Sequence, residues 1–246
     1  KERFSFRYLD KVNYLPNIFE NNSFPLQTLR ALQDFDFFFY VTDGSYFFSG
    51  AKNNFIFCMV PDKKLYNLNL LNRVKLWNYK FISNSPFTTK WLSKWGINPT
   101  TIPPYIDDRL LDDNQNKKEK IILSSGRFFS HLHSKRQDLT IKAFRNLKDR
   151  SKEFSDYKLV LSGGLKTEDQ EYFDELKKLA GNDSSVIFKP NIKLDELYKL
   201  YELSNYFWHF TGLGVDENKN PELVEHLGIS PLEAMASGCL TFCYSA

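Results

Sequence analysis

The chain has 246 residues, of which 42% are hydrophobic and 26% charged, and its formal net charge is +3. This length suits one large domain or two small ones, and the small positive charge gives no basis for nucleic-acid binding. No run of 18 apolar residues occurs, so we expect no transmembrane helix, although the charge is compatible with anionic ligands or an anionic membrane surface.

The first half of the chain alternates apolar, β-prone runs with helical patterns. Residues 35–42 and 54–60 do not alternate cleanly between polar and apolar positions, so we expect both to be strands buried on two faces, as in parallel sheets. A third strand is predicted at 79–83, and helices are predicted at 25–32, 68–77 and 86–95. Ser85 suits the N-cap of the last of these helices, and Gly96 its end.

A boundary between two domains is indicated by three prolines, at 99, 103 and 104, and by the polar run that follows. We therefore predict a first domain over 1–104, a linker over 105–120 and a second domain over 121–246. In the second domain the predicted strands are 121–125, 157–161, 186–189, 206–210 and 239–244, and the predicted helices are 137–148, 167–180, 194–203 and one from Ser230. This alternation indicates an α/β fold built of parallel βαβ units.

Several polar or glycine-containing segments follow the strands of the second domain. They are Gly126-Arg127, Gly163-Gly164, Lys189-Pro190 and Thr211-Gly212. Because ligands of open parallel sheets bind beyond the carboxyl ends of the strands, we expect these segments to surround one crevice. Arg127 and Lys135, the latter at a helix entrance, suit a diphosphate. The alternative is that Lys135 and Arg136 form a solvated charge pair.

Residues 225–238 predict a loop that becomes a helix. Ser230 suits the N-cap, Pro231 the first helical position, and Glu233 completes a capping-box pattern. A helix start presents free backbone N–H groups, and Gly228 lets the backbone approach a ligand, so this is a candidate pyrophosphate site flanked by Glu225 and Glu233. The two carboxylates suit sugar or ribose hydroxyls. They could alternatively be a cap and a solvated acid, or a hydrolase pair, although such pairs flank a scissile bond directly.

Histidine and cysteine positions give further expectations. His209 ends a predicted strand on the side of the crevice and is either a packed histidine or a ligand contact, of which we favour contact. His131 and His133 could begin a metal site, but no third ligand is in an obvious position, so no metal is expected. Three cysteines without Cys-x-x-Cys spacing, and no visible signal peptide, favour a reducing, cytoplasmic setting.

These motifs resemble the retaining GT-B glycosyltransferases of group 1, often called family 4. Glu225 and Glu233, with seven residues between them, resemble that family's E-x7-E motif, and residues 228–238 its most recognisable segment. Gly126-Arg127 with Lys135 is similar to its phosphate clamp. Residues 81–88, Trp91 and 102–104 are similar to the end of its N-terminal domain, and 208–217 to a bacterial subset. The resemblance covers about residues 35–246.

The resemblance implies a GT-B-like fold of two Rossmann-like domains with parallel sheets, and transfer of a sugar from a UDP- or GDP-sugar with retention. Glu225 would contact the donor sugar, and Glu233 the ribose. Arg127 and Lys135 would neutralise the leaving diphosphate. The remaining donor contacts would be the N–H groups of Gly228, Ile229 and Ser230, and, near the base or ribose, Gly163, Gly164 and Lys189.

The resemblance also implies that no metal or other cofactor is needed, since the cationic clamp replaces it. The acceptor would be a glycan or a lipid-linked molecule. The protein would be cytoplasmic, with peripheral association at the cytoplasmic face of the membrane as an alternative. Family members are longer at both ends, so we expect an incomplete N-terminal domain and missing final helices. The alternatives are a non-catalytic nucleotide-sugar-binding remnant and a nucleotide-sugar epimerase of similar fold.

Overall fold

Two parallel β-sheets organise the chain, each in its own unit, and the units divide between Pro104 and Tyr105. The computed structural model describes residues 12–14, 19, 25–111 and 117–244. Parts of the predicted first domain and of the predicted linker, among them 112–116, lie outside these residues. The strand order is β1-β2-β3-β4 in the first sheet and β7-β6-β5-β8-β9 in the second, and every pairing is parallel.

The elements follow the predicted alternation with small shifts at their ends. The first unit contains α1 Pro25–Leu32, β1 Phe37–Val41, β2 Asn53–Cys58, α2 Leu70–Lys75, β3 Tyr79–Ser83, α3 Pro86–Lys94 and β4 Thr100–Thr101. The second unit contains β5 Glu119–Ser125, α4 Gln137–Arg150, β6 Lys158–Gly163, α5 Gln170–Ala180, β7 Val186–Pro190, α6 Leu194–Leu203, β8 Ser204–His209, α7 Ile229–Ala236 and β9 Leu240–Cys243. None of the helices in the described residues is both long and apolar enough to span a membrane.

Helix α3 has the predicted local signals. The Ser85 hydroxyl accepts the N–H of Thr88 at 3.1 Å, Pro86 occupies the first turn, and the chain leaves the helix through Gly96 at φ +80°. The N-cap serine and the glycine in the left-handed conformation help to satisfy the unpaired backbone groups at the two ends of the helix. The first-turn proline lacks an N–H that would otherwise be unpaired.

The prediction of two buried faces is wrong for β1 and only half right for β2. In β1 the side chains of Phe37, Phe39 and Val41 are 67%, 55% and 50% exposed, whereas in β2 Ile56 and Cys58 are fully buried. β1 lies at the edge of its sheet, and on this face Phe39 contacts Phe57 at a ring distance of 5.5 Å. An apolar run predicts a strand, but it does not reveal whether both faces of that strand are covered.

In the second sheet the central strands β5 and β6 are buried on both faces. Ile122 and Leu159 face a core with α4 and α5, which includes Phe128 and Phe144. The next residue along β5, Leu123, belongs to a second core with Tyr201 and Phe207 on the other side. Successive side chains of a strand point to opposite faces, so β5 joins two helical layers and has its carboxyl end fixed between them.

The predicted start of α7 is wrong by two positions, and its capping box does not form. Gly228, at φ +74°, is the N-cap, so Ser230 is the second helical residue and makes no cap bond. The Glu233 carboxylate instead accepts the hydroxyl of Tyr201 at 3.1 Å. The predicted end is confirmed, because Gly238 at φ +75° donates its N–H to the carbonyl of Met235 at 3.0 Å. A positive φ at Gly228 turns the chain into the helix without any serine cap.

Candidate functional site

The carboxyl ends of β5 and β6 are joined backbone to backbone. The N–H of Gly126 donates to the carbonyl of Ser162, and the N–H of Phe128 to that of Gly164, both at 2.9 Å. A Cβ added at Gly163 would lie 1.9 Å from the carbonyl oxygen of Gly126. Glycine at 163 therefore permits the close approach of the two loops that follow these strands.

The same close packing places Lys135. A Cβ at Gly126 would lie 2.5 Å from Cγ of Lys135, so the lysine stem lies directly over this glycine. Its Nζ reaches Oε2 of Glu225 at 2.8 Å, and the two side chains are only 15% and 25% exposed. The loop after β5 is tied to the loop after β8 a second time, because Arg136 donates to the carbonyl of Leu213 at 3.0 Å.

Glu225 has three hydrogen-bonding partners from three different parts of the second unit. Besides Lys135, His209 places Nε2 at 2.5 Å from Oε2, and the N–H of Gly228 donates to Oε1 at 3.1 Å. Burial by itself raises the pKa of Glu225, but the hydrogen bond from His209 and the charge of Lys135 outweigh it and hold that pKa well below its usual value. Glu225 is therefore a carboxylate at neutral pH.

The first turn of α7 offers backbone donors beside this carboxylate. The Gly228 N–H is taken by Glu225, and Pro231 has none to offer. Within the described residues no acceptor faces the N–H of Ile229 or of Ser230. These two groups and the positive end of the helix dipole suit an anion.

Arg127 supplies a second cation on the same loop as Lys135. Its side chain is exposed, and the guanidinium carbon lies 4.5 Å from the ring centre of Phe129, which is buried. Among the described residues no carboxylate is paired with Arg127. Stacking on an aromatic face orients an arginine and leaves its five donors available to a ligand.

Glu233 lies one turn further along α7 in a different environment. Its partner Tyr201 is fully buried, and the tyrosine hydroxyl holds one carboxylate oxygen. Burial raises the pKa of Glu233, the Tyr201 hydrogen bond opposes this effect, and the charge of Asp107 adds to it. Glu225 and Glu233 thus differ: Glu225 is held by three donors, one of them the charged Lys135, and Glu233 by one neutral hydroxyl.

Three histidines surround this part of the site. His209 is 3% exposed at the end of β8. The rings of His133 and His226 lie 5.7 Å apart, and burial, together with the charges of Lys135 and His226, lowers the pKa of His133 to about 4. In the described part of the chain no group of three histidine, cysteine or acidic side chains is arranged to hold a metal ion.

The remaining predicted site residues lie at the ends of β6 and β7. Gly164 accepts the Phe128 N–H, and the carbonyl of Gly163 accepts the N–H of Asn191 at 2.8 Å. Lys189 is paired with Glu196 of α6 at 2.5 Å. The structure thus links Gly163 directly to the loop of Arg127 and Lys135, whereas none of the contacts it describes joins Lys189 to Glu225.

Two residues of the site were not predicted from the sequence. Tyr201 lies within the regular pattern of α6, and Phe129 within a loop, so neither has a local motif that would mark it. Tyr201 acts through its contact with Glu233, which is 32 positions further along the chain, and Phe129 through its contact with Arg127, two positions before it. The only sequence signal for Phe129 was that an aromatic residue lies two positions after Arg127, close enough in the chain to stack on its guanidinium.

Among the solved structures with a similar fold, three illustrate the likeness. AviGT4, a glycosyltransferase involved in avilamycin A biosynthesis, has a TM-score of 0.57 and 15% identity, over 89% of this chain and 59% of its own. A glycosyltransferase from Rickettsia africae has a TM-score of 0.64 and 15% identity, over 96% and 67%. The E. coli trehalose-6-phosphate structure bound with UDP-2-fluoro glucose has a TM-score of 0.56 and 12% identity, over 79% and 54%.

At these identities the likeness shows the fold, which is GT-B with two Rossmann-like domains of parallel sheets. The chain spans between about half and two thirds of the length of these structures. No curated protein matches the sequence significantly. The family profile described as "Glycosyl transferases group 1" matches residues 109–246, which is more than half of the chain and includes every site residue above. The chain belongs to the group 1 glycosyl transferases.

Proposed function

We propose that this protein transfers a sugar from a UDP- or GDP-sugar to a glycan or lipid-linked acceptor, with retention at the anomeric carbon. The observation that carries the proposal is the Glu225 side chain, which joins Lys135 to the first turn of α7. One carboxylate thereby holds the cation and the helix start, both of which suit the diphosphate of a donor. The UDP-2-fluoro glucose in the E. coli relative supports a nucleotide-sugar donor.

In this reaction the bond between the anomeric carbon and the diphosphate breaks, and the leaving nucleoside diphosphate gains negative charge. Lys135, Arg127 and the N–H groups of Ile229 and Ser230 would stabilise that charge. Fixed donors aimed at developing charge provide the largest rate effect in many enzymes. The acceptor hydroxyl would attack from the face that the diphosphate leaves, which gives retention, and its proton would pass to the departing diphosphate oxygen. No protein nucleophile is assigned.

The two acids of the motif take separate roles in this proposal. Glu225, ionised and close to the helix start, would accept a hydroxyl of the donor sugar. Glu233 has one oxygen held by Tyr201 and would accept the ribose hydroxyls with the other. Gly163, Gly164 and Lys189 would lie beside the base or ribose. Residues 121–246 would form the donor-binding domain, and residues 1–104 the acceptor-side domain. The protein would be cytoplasmic, either free or associated with the cytoplasmic face of the membrane.

The test is to incubate the protein with a panel of UDP- and GDP-sugars, measuring binding by calorimetry and turnover by release of the nucleotide. We expect at least one donor to bind and to be consumed in the presence of an acceptor, with the product anomer identified by NMR. Activity should persist in EDTA, because the cations of the site replace a metal. Binding without turnover on any acceptor would favour the non-catalytic alternative, and the absence of any binding would refute the proposal.

A further inference from the structure

His209 is held rigidly at the end of β8. Its ring is buried and lies nearly parallel to that of Phe207, with 6.2 Å between ring centres and 17° between planes. Its backbone carbonyl accepts the N–H of Tyr244 at 3.1 Å, beside the β8–β9 pairing. A buried ring on a paired strand has few alternative rotamers, so its Nε2 has a fixed direction.

That direction is toward Glu225, and the contacts of this carboxylate are almost complete. Oε2 receives both His209 at 2.5 Å and Lys135 at 2.8 Å, and Oε1 receives the N–H of Gly228 at 3.1 Å. A carboxylate has about four acceptor positions, so one remains, on Oε1. Glu225 can therefore accept one ligand hydroxyl without losing a protein partner.

Lys135 differs from His209 in how firmly it is held. A lysine carries its charge on a flexible stem of four carbons and can move between two anions, whereas the imidazole of His209 cannot follow it. If Lys135 turned to a bound diphosphate, His209 would be the remaining donor on Oε2. Without His209 the carboxylate would then keep only the Gly228 N–H on Oε1 and could rotate about that contact.

We propose that His209 is a positioning residue, which holds Glu225 through Nε2 while Lys135 exchanges this carboxylate for the diphosphate of the donor. The inference rests on the proposed function. It replaces the expectation that His209 itself contacts the donor, and it assigns Oε1 of Glu225 as the atom that meets the sugar.

The first test reads the ring directly and needs no turnover. Long-range ¹H–¹⁵N NMR of the full chain assigns the protonation of each ring nitrogen, with the His209→Gln variant identifying the His209 signals. We expect Nε2 of His209 to carry a proton, its signal to shift in Glu225→Gln, and the proton to remain when UDP is added. The signals of the exposed His131 should not respond to Glu225→Gln. An Nε2 without a proton in the wild type would overturn the proposal.

The second test separates positioning from donor contact. Gln can place a donor near the position of Nε2, whereas Leu cannot. We expect His209→Leu to bind UDP within about twofold of the wild type and to lose about 10- to 100-fold in kcat, and His209→Gln to recover most of that loss. A tenfold loss of UDP affinity in His209→Gln would overturn the proposal by placing the ring on the donor, as would an unchanged kcat in His209→Leu.

The two tests also distinguish this inference from the proposed function. If the wild type binds no UDP or GDP, the proposed function fails, while the NMR experiment still decides whether His209 donates to Glu225. If His209→Leu does not fold, the comparison of wild type with His209→Gln and the NMR signals decide the matter.

Discussion

Nζ of Lys135 and Oε2 of Glu225 lie 2.8 Å apart, although the two residues are separated by 90 positions in the sequence. The pair connects the loop after β5 to the loop that precedes α7. Both partners are largely buried, so the charge of each depends on the other. In the free protein the lysine that we propose for the diphosphate is thus paired with the carboxylate that we propose for the sugar, and a bound donor would separate their roles.

Replacing Glu225 by glutamine tests the role of the carboxylate. We expect transfer to fall by roughly 10²-fold, because the negative charge beside the sugar is lost, while UDP affinity is kept since Lys135 becomes free to bind the diphosphate. Steady-state kinetics and calorimetry with UDP measure the two effects. Glu222→Gln, the same chemical change three residues earlier in the loop, should have wild-type values. A collapse of UDP affinity in Glu225→Gln would show that our role for this residue is wrong.

Replacing Lys135 by methionine tests the phosphate clamp. The change keeps an unbranched stem over Gly126 and removes the charge. We expect the dissociation constant for UDP to rise by about 10- to 100-fold, as for the loss of a charge-assisted hydrogen bond, while that for uridine stays the same. The control is Lys142→Met on the exposed side of α4. Equal weakening of UDP and uridine would indicate a change of shape and not a lost phosphate contact.

The sequence predicted the positions of the helices and strands well because periodicity and capping are local. It predicted the carboxyl ends of β5, β6 and β8 as the site because parallel topology brings such ends together. It failed at α7, where Gly228 and not Ser230 caps the helix, because the path of residues 210–228 decides which residue turns the chain. For the same reason no pattern could show that His209 faces Glu225.

His133, which is partly buried beside the site, predicts how the stability of the protein depends on pH. The pKa of His133 is about 4 in the folded protein, against a usual value of 6.5, because burial and the neighbouring Lys135 oppose protonation. The unfolded state therefore binds more protons between these values. This histidine leaves the free energy of unfolding unaffected above pH 6.5 and lowers it progressively as the pH falls from 6.5 toward 4.

Removing this histidine should flatten that dependence. We expect His133→Gln to reduce the loss of unfolding free energy between pH 7 and pH 5 by about 1–2 kcal/mol, measured by urea denaturation at each pH. His131→Gln, an exposed histidine two positions earlier, provides the matched control. If His133→Gln and His131→Gln changed the pH dependence equally, the buried environment of His133 would not be its cause.

The contact between Gly163 and Gly126 predicts a large local effect of one methyl group. Gly163→Ala would place Cβ 1.9 Å from the Gly126 carbonyl oxygen, so the loop of Arg127 and Lys135 must shift. We expect a loss of more than about 3 kcal/mol in the free energy of unfolding, together with weaker UDP binding.

Gly214→Ala is the matched control for that change. Gly214 also has a positive φ, +84°, but nothing lies within 4 Å of its missing Cβ. Its substitution should therefore cost only backbone strain, about 1 kcal/mol, and leave UDP binding unchanged. Urea denaturation and calorimetry of both variants separate steric overlap from strain, and equal losses would contradict the close approach of the two loops.

Glu233 and its partner Tyr201 give a prediction about the ribose. If the free oxygen of Glu233 accepts the ribose hydroxyls, Glu233→Ala should weaken UDP binding by about tenfold and leave the binding of 2′,3′-dideoxy-UDP unaffected, because that ligand lacks both hydroxyls. Tyr201→Phe removes the hydrogen bond of 3.1 Å that orients the carboxylate, and it should produce a smaller loss, again only for UDP. Calorimetry with both ligands measures the four affinities. Equal weakening of the two ligands in Glu233→Ala would remove Glu233 from the ribose and leave it as a partner of Tyr201 in the core.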